Sequence, residues 1–153
     1  MAAPSQAETC ALCKDNTQLV ESHVLPAFVF RWLKGTSATG FIRMAENPKR
    51  RAQDGLKFPW LCASCEKLLN EFETPFATKV FHRYNANEAS KVFYQKWMLK
   101  FCASVSWRVL RHVWDETGLA NFSEEQRREA GRALEQWRAF IFGEVHEAGP
   151  SEQ

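Results

Sequence analysis

The sequence has no apolar run of the roughly 18 residues that a bilayer-spanning helix needs, so no membrane association is expected. Its opening residues, MAAPSQAE, lack both the basic n-region and the apolar h-region of a signal peptide. The expected compartment is therefore the cytoplasm. A Gly-rich phosphate loop, a Ser nucleophile elbow and a dinucleotide fingerprint are also missing, which sets aside NTPase, Ser-elbow hydrolase and dehydrogenase chemistry. No internal repeat and no low-complexity segment interrupts the chain.

A chain of 153 residues is long enough for one domain with a proper core and too short for two independent ones. Its hydrophobic fraction of 45% and charged fraction of 25% are those of an ordinary globular protein. Aromatic residues are plentiful, with six Trp and twelve Phe to supply large buried areas. The net charge of +2 is unevenly spread. Seven basic residues between Arg31 and Lys57 face only Glu46 and Asp54, and seven more between Phe76 and Arg111 face only Glu88. From His112 onward the sign reverses, with four Arg against nine acids. Basic middle segments of this kind suit a surface that meets phosphate, and equally a plain solvated face.

Along the chain, residues 19–25 read as an extended segment. Pro26 suits the first turn of a helix, because its missing N–H has no partner there in any case; that helix runs to Gly35, a natural C′ residue. Residues 39–44 and 56–61 read as two strands, the second confined to an edge by Pro59, with the turn NPKRRAQDG between them. The remainder is helical. A short helix over 65–72 is expected to end before Pro75, and Thr74 to cap a further one over 75–84. Over 87–114, Tyr94, Met98, Cys102, Val105, Val109 and Val113 form an apolar stripe, flanked by Phe93, Trp97 and Phe101. A helix apolar over so much of its girth belongs in a core or at an interface with a second copy or another protein. Gly118 ends it. Ser123 with Gln126 then forms a capping box, and Ala130, Ala133, Leu134, Trp137 and Ile141 trace the buried face of the last helix.

Two C-x2-C pairs, Cys10-Ala-Leu-Cys13 and Cys62-Ala-Ser-Cys65, carry the strongest chemical signal. The two residues inside each pair form a tight knuckle that turns both thiolates to one ion, and two such pairs complete the tetrahedral sulfur set of a closed zinc site. Disulfides do not fit a cytoplasmic chain, and a redox C-x2-C needs a βαβ context that is missing. The fifth cysteine, Cys102, lies on the helical stripe and reads as packing. With one pair at an N-terminal knuckle and the other at a strand-to-helix junction, the arrangement expected is a treble clef: knuckle, short β-hairpin, helix.

Between the pairs stands Glu21-Ser22-His23-Val24-Leu25-Pro26. Here the chain resembles the HNH endonuclease superfamily, whose zinc-bearing members read C-x2-C, then an acid-His-aliphatic-x-Pro strand, then Leu-Cys-x2-Cys opening a helix. The matching pieces are CALC at 10–13, SHVLP at 22–26 and LCASC at 61–65. The wording SHVLP, LCASCE and the later Glu73 is similar to a group of bacterial and phage proteins. The likeness covers the first half of the chain well and the second loosely.

The resemblance implies a ββα-metal nuclease acting on DNA or RNA. His23 would be the general base for the attacking water. A second divalent cation, Mg²⁺ or Mn²⁺, would relieve charge at the phosphate, and Arg43, Lys49, Arg50 and Arg51 would hold flanking phosphates. Three positions depart from the family pattern. Ser22 stands where an Asp or another metal ligand precedes the histidine, Phe58-Pro59-Trp60 replaces the expected Asn, and Glu66 follows the last cysteine. Glu66 and Asn70 are the acidic and amide candidates for completing such a site with His23. His23 can also be a structural histidine bonding a hairpin carbonyl, and Glu66 an anion favoured by the first helical turn. His82 carries a weak signal, His112 and His146 none. The fold class expected is α+β and mostly helical, with a zinc-binding region over 1–74, a helical region over 75–146 completing the same domain, and a disordered tail over 147–153.

Overall fold

The computed structural model describes residues 8–43, 47–52, 54–88 and 91–150, and is mixed α+β with helix predominating. It divides into two compact units, Met1–Ala63 and Ser64–Gln153. No helix among the described residues is long and apolar enough to cross a membrane.

In the first unit, strands β1 (Glu8–Thr9) and β2 (Asn16–Thr17) pair antiparallel and bracket a tight knuckle. Cys10 N–H donates to the Asp15 carbonyl at 2.9 Å and Lys14 N–H to the Cys10 carbonyl at 2.9 Å, with Lys14 turned into the left-handed region at φ 69°. Strand β3 (Leu19–His23) continues the chain. Helix α1 (Ala27–Thr36) follows, with Pro26 at its N-cap position, φ −53° and ψ 135°. Strands β4 (Ile42–Arg43) and β5 (Arg51–Ala52) form a small hairpin.

Strand β6 (Lys57–Cys62) is where the pairing departs from expectation: it pairs antiparallel with β3, not with the strand at 39–44. The expected strand shrinks to Ile42–Arg43, Met44 lying outside the described residues, and its partner is β5. Hydrophobic patterning gives a strand's faces but not its partner. Pro59 sits opposite Glu21, beside a register shift between Val20 and Glu21; an irregularity at that point tolerates a residue with no N–H to offer the ladder. Leu12, Val24, Phe28, Trp60 and Leu61 are buried in this unit, and the Ala11 N–H ties the knuckle to β6 through the Trp60 carbonyl at 2.8 Å.

The second unit begins with α2 (Ala63–Phe76), which does not stop before Pro75. Proline withholds its N–H from the carbonyl four residues back, and the chain widens into a π-helical turn, Ala77–Phe81, before closing as α3 (His82–Asn85). Thr74, expected as a cap, lies inside the helix, where the Thr78 hydroxyl donates to its carbonyl at 2.9 Å.

Helix α4 spans Lys96–Thr117, later than the expected 87–114, and residues 91–95 form no helix. Its buried residues are Phe101, Ala103, Ser104, Trp107 and Arg108. Cys102, expected to pack, is exposed, as are Val109 and Tyr94 from the same stripe. The Phe101 ring stacks on Phe76, centroids 3.9 Å apart.

Gly118 closes α4 at φ +57° and Gly143 closes α5 (Glu124–Phe142) at φ +79°, the left-handed C′ conformation that glycine adopts without a Cβ penalty. The Ser123–Gln126 capping box forms with both of its hydrogen bonds. Ala133, Leu134 and Ile141 are buried as expected, with Phe140 beside them. The tail departs from the expected disorder over 147–150. Gln136 Nε2 donates to the Glu147 carbonyl at 2.9 Å, and Ala148 is buried, while 151–153 lie outside the described residues.

Candidate metal centre

The knuckle delivers Cys10 and Cys13, the last residue of β6 is Cys62, and the first turn of α2 brings Cys65. Their four Sγ atoms lie within 4.8 Å of one another, and Cys10, Cys62 and Cys65 are buried. Cys13 Sγ and Cys62 Sγ are 3.9 Å apart. Zinc–sulfur bonds of about 2.3 Å in a tetrahedron set neighbouring sulfurs about 3.8 Å apart, whereas a disulfide needs about 2.05 Å. The four thiols are unbridged and close enough together to share one ion.

The surroundings favour thiolate. Burial alone would raise the Cys10 thiol, but the backbone N–H groups of Cys13, Cys62 and Leu12, with the Cys13 thiol, bring it down to about 7. The Cys62 N–H approaches Cys10 Sγ at 3.3 Å, the outer-shell amide contact that stabilises a ligating sulfur. This donor set can coordinate a structural metal such as zinc. Four sulfurs close the coordination shell, so the ion would have no open position for substrate.

His23 ends β3, with its ring stacked on Phe30 at 6.1 Å between centroids. Its Nε2 lies 3.0 Å from Asp54 Oδ1, which also accepts the Gly55 N–H at 2.9 Å. Lys57, paired with His23 in the β3–β6 register, places Nζ 2.8 Å from Glu21 Oε2 and 4.0 Å from Asp54 Oδ2. Desolvation pushes the Asp54 carboxyl up, but the His23 hydrogen bond, the Gly55 N–H and the charges on His23 and Lys57 outweigh it and leave it below the usual carboxylate range. What Asp54 adds to stability is therefore present above the ordinary carboxylate pKa, about 3.9, and lost as pH falls through the lowered value.

Asp54 and Lys57 are the residues that sequence reasoning missed at His23. The register of β3 against β6 brings them there, and only a correct strand pairing would have found them.

Ser22, at the departed ligand position, is fully buried and its hydroxyl donates to the Val20 carbonyl at 3.3 Å. Glu66 sits in the first turn of α2, and its Oε1 is buried without a hydrogen-bond partner among the described residues. Asn70 is exposed and its Oδ1 accepts from Thr74 at 3.4 Å. His23 belongs to the first unit, Glu66 and Asn70 to the second. Of the basic candidates, Arg43 donates to the Pro48 carbonyl at 2.7 Å, Arg51 lies 4.8 Å over the Phe41 ring, and Lys49 and Arg50 are exposed in the turn between β4 and β5.

Phe30 links the histidine to Gly55. A Cβ on Gly55 would collide with the Phe30 ring that stacks on His23. Gly55→Ala is expected to cost about 1–3 kcal/mol by overpacking, read as a lower urea midpoint at unchanged slope. Phe30→Leu should relieve most of that cost in a double-mutant cycle; additive losses would mean that the ring is not what Gly55 accommodates.

Comparison with protein-family models, with curated proteins and with solved structures returns no match.

Proposed function

We propose that this chain is a zinc-stabilised, HNH-like metal-dependent nuclease built on a treble clef, with His23 as general base and Asp54 as the residue that positions it. The observation that carries the reading is the 3.0 Å contact between His23 Nε2 and Asp54 Oδ1. An ionised carboxylate offers only lone pairs, so Asp54 is served by a proton on His23 Nε2 and orients the ring that takes a proton from water. Glu66, whose buried Oε1 has no hydrogen-bond partner among the described residues, is the second unit's own candidate ligand for a divalent cation. When bound, that cation supplies charge neutralisation at the scissile phosphate. Lys49 and Arg50, exposed at the tip of the β4–β5 turn, hold flanking phosphates.

The test is nicking of supercoiled plasmid, and cleavage of single strands, with Mg²⁺, Mn²⁺ or Ni²⁺. His23→Ala is expected to lose about 10²–10⁴ in rate with zinc retained. Asp54→Asn should lose on the order of tenfold, and Asp54→Glu should recover part of it. Equal activity in wild type and His23→Ala would remove the histidine from the chemistry.

The buried Ser22 hydroxyl, turned to a backbone carbonyl, favours a second reading in which the fold binds nucleic acid without cutting it. That reading predicts binding that weakens steeply with salt and no cleavage with any of the three metals.

A further inference from the structure

Tyr84, Phe93 and Tyr94 are 69%, 98% and 63% exposed, in a part of the second unit that the metal centre does not use. Isolated exposed aromatics are ordinary, but Phe93 and Tyr94 are neighbours in one exposed segment. Lys91 and Lys96 flank them and are exposed too, while Glu88 is the only acid between Phe76 and Arg111.

We propose that Phe93 and Tyr94, with Lys91 and Lys96, form a stacking surface for single-stranded nucleic acid. Every base has a π-face, and aromatic platforms set among cations bind single strands by stacking the bases and neutralising the phosphates. Phe93 suits this role best: it lies in a segment that is neither helix nor strand, and its ring is almost wholly open to solvent. The other occupants fit less well. A second copy would bring the same cations face to face. A membrane interface calls for an amphipathic helix, whereas α3 has 4 residues and 91–95 have no helical turn. The inference rests on nucleic acid being the ligand and narrows its class to unpaired strands.

The experiment is fluorescence anisotropy of the full zinc-loaded chain with labelled oligothymidylate and oligouridylate of about 20 nucleotides, and with a duplex of equal length, across a KCl series. Wild type should bind the single strands about tenfold or more tightly than the duplex. Phe93→Ala/Tyr94→Ala should abolish that preference while changing duplex affinity less than about twofold, and Lys91→Gln should flatten the salt slope. These side chains are exposed, so circular dichroism and zinc content should match wild type.

Unchanged single-strand affinity in the aromatic variant overturns the proposal, as does a concentration-dependent dimer that the same variant dissolves without any oligonucleotide binding. The nuclease reading is separable. A chain that nicks plasmid but gains nothing from these rings loses only this surface, and one that binds single strands through them but cuts nothing loses only the nuclease.

Discussion

Cys62→Ser is expected to strip the metal and unfold the first unit. Serine preserves the shape of cysteine, but its hydroxyl does not ionise in the physiological range, so it cannot replace a thiolate donor. A four-sulfur site contributes about 10–16 kcal/mol of apparent folding free energy at neutral pH, against about 5–15 kcal/mol for the whole stability of a typical domain. The first unit, Met1–Ala63, is at the size where apolar burial alone leaves little margin. Among the described residues its buried large apolar side chains are few: Leu12, Val24, Phe28, Trp60 and Leu61.

The measurement is zinc content by mass spectrometry, together with hydrogen exchange of the β3 and β6 amides. Wild type should hold zinc stoichiometrically and protect those amides, while Cys62→Ser should show trace zinc and exchange at close to unfolded rates. Exhaustive chelation of wild type should reproduce the variant. Cys102→Ser, which alters an exposed cysteine outside the cluster, should leave zinc and protection unchanged. If Cys62→Ser keeps both its metal and its protected amides, the cluster is not the staple described here.

The parts of this protein that were legible in its sequence are those fixed by near neighbours along the chain. A C-x2-C pair turns two sulfurs together whatever surrounds it, so two pairs sufficed to single out all four clustered cysteines. The Ser123–Gln126 box is likewise written within one helical turn, and it forms as read. Where long-range pairing decides, the reading failed. Strand 57–62 was legible as a strand, but its partner is Leu19–His23, and that register is what sets Asp54 and Lys57 at His23. Pro75 misled for another reason. Proline forbids one hydrogen bond, and a π-helical turn absorbs that loss without ending the helix. In α4 the expected stripe ran through apolar residues alone. Ser104 and Arg108 are buried, so the inward face runs through Phe101, Ser104 and Arg108, and Cys102 is left outside.

Arg108 makes the second large effect calculable. Its side chain is 2% exposed, and its Nη2 lies 2.6 Å from Glu73 Oε1, whose side chain is 15% exposed. Arg108 Nε also faces the Ser104 carbonyl at 3.3 Å, and the Ser104 hydroxyl donates to the Phe101 carbonyl at 2.8 Å. A buried ion pair of this kind gains little over a well-packed apolar pair, because desolvating both charges offsets their attraction. Removing one member is another matter: Glu73→Ala takes a carboxylate away from a buried guanidinium, and arginine does not deprotonate to shed its charge. The expected loss is about 3–5 kcal/mol, well beyond the value of an exposed pair such as Arg111–Asp115, about 0–1 kcal/mol. Chemical denaturation of Glu73→Ala, Arg108→Met and the double Glu73→Leu/Arg108→Met variant forms the test. Each single change should be strongly destabilising, and the double should recover most of the loss, because it removes both charges and refills the volume. A double variant no more stable than the sum of the singles would show that the pair acts through shape rather than charge. A Glu73→Ala loss below about 1 kcal/mol would mean that Glu73 is not what holds the Arg108 charge.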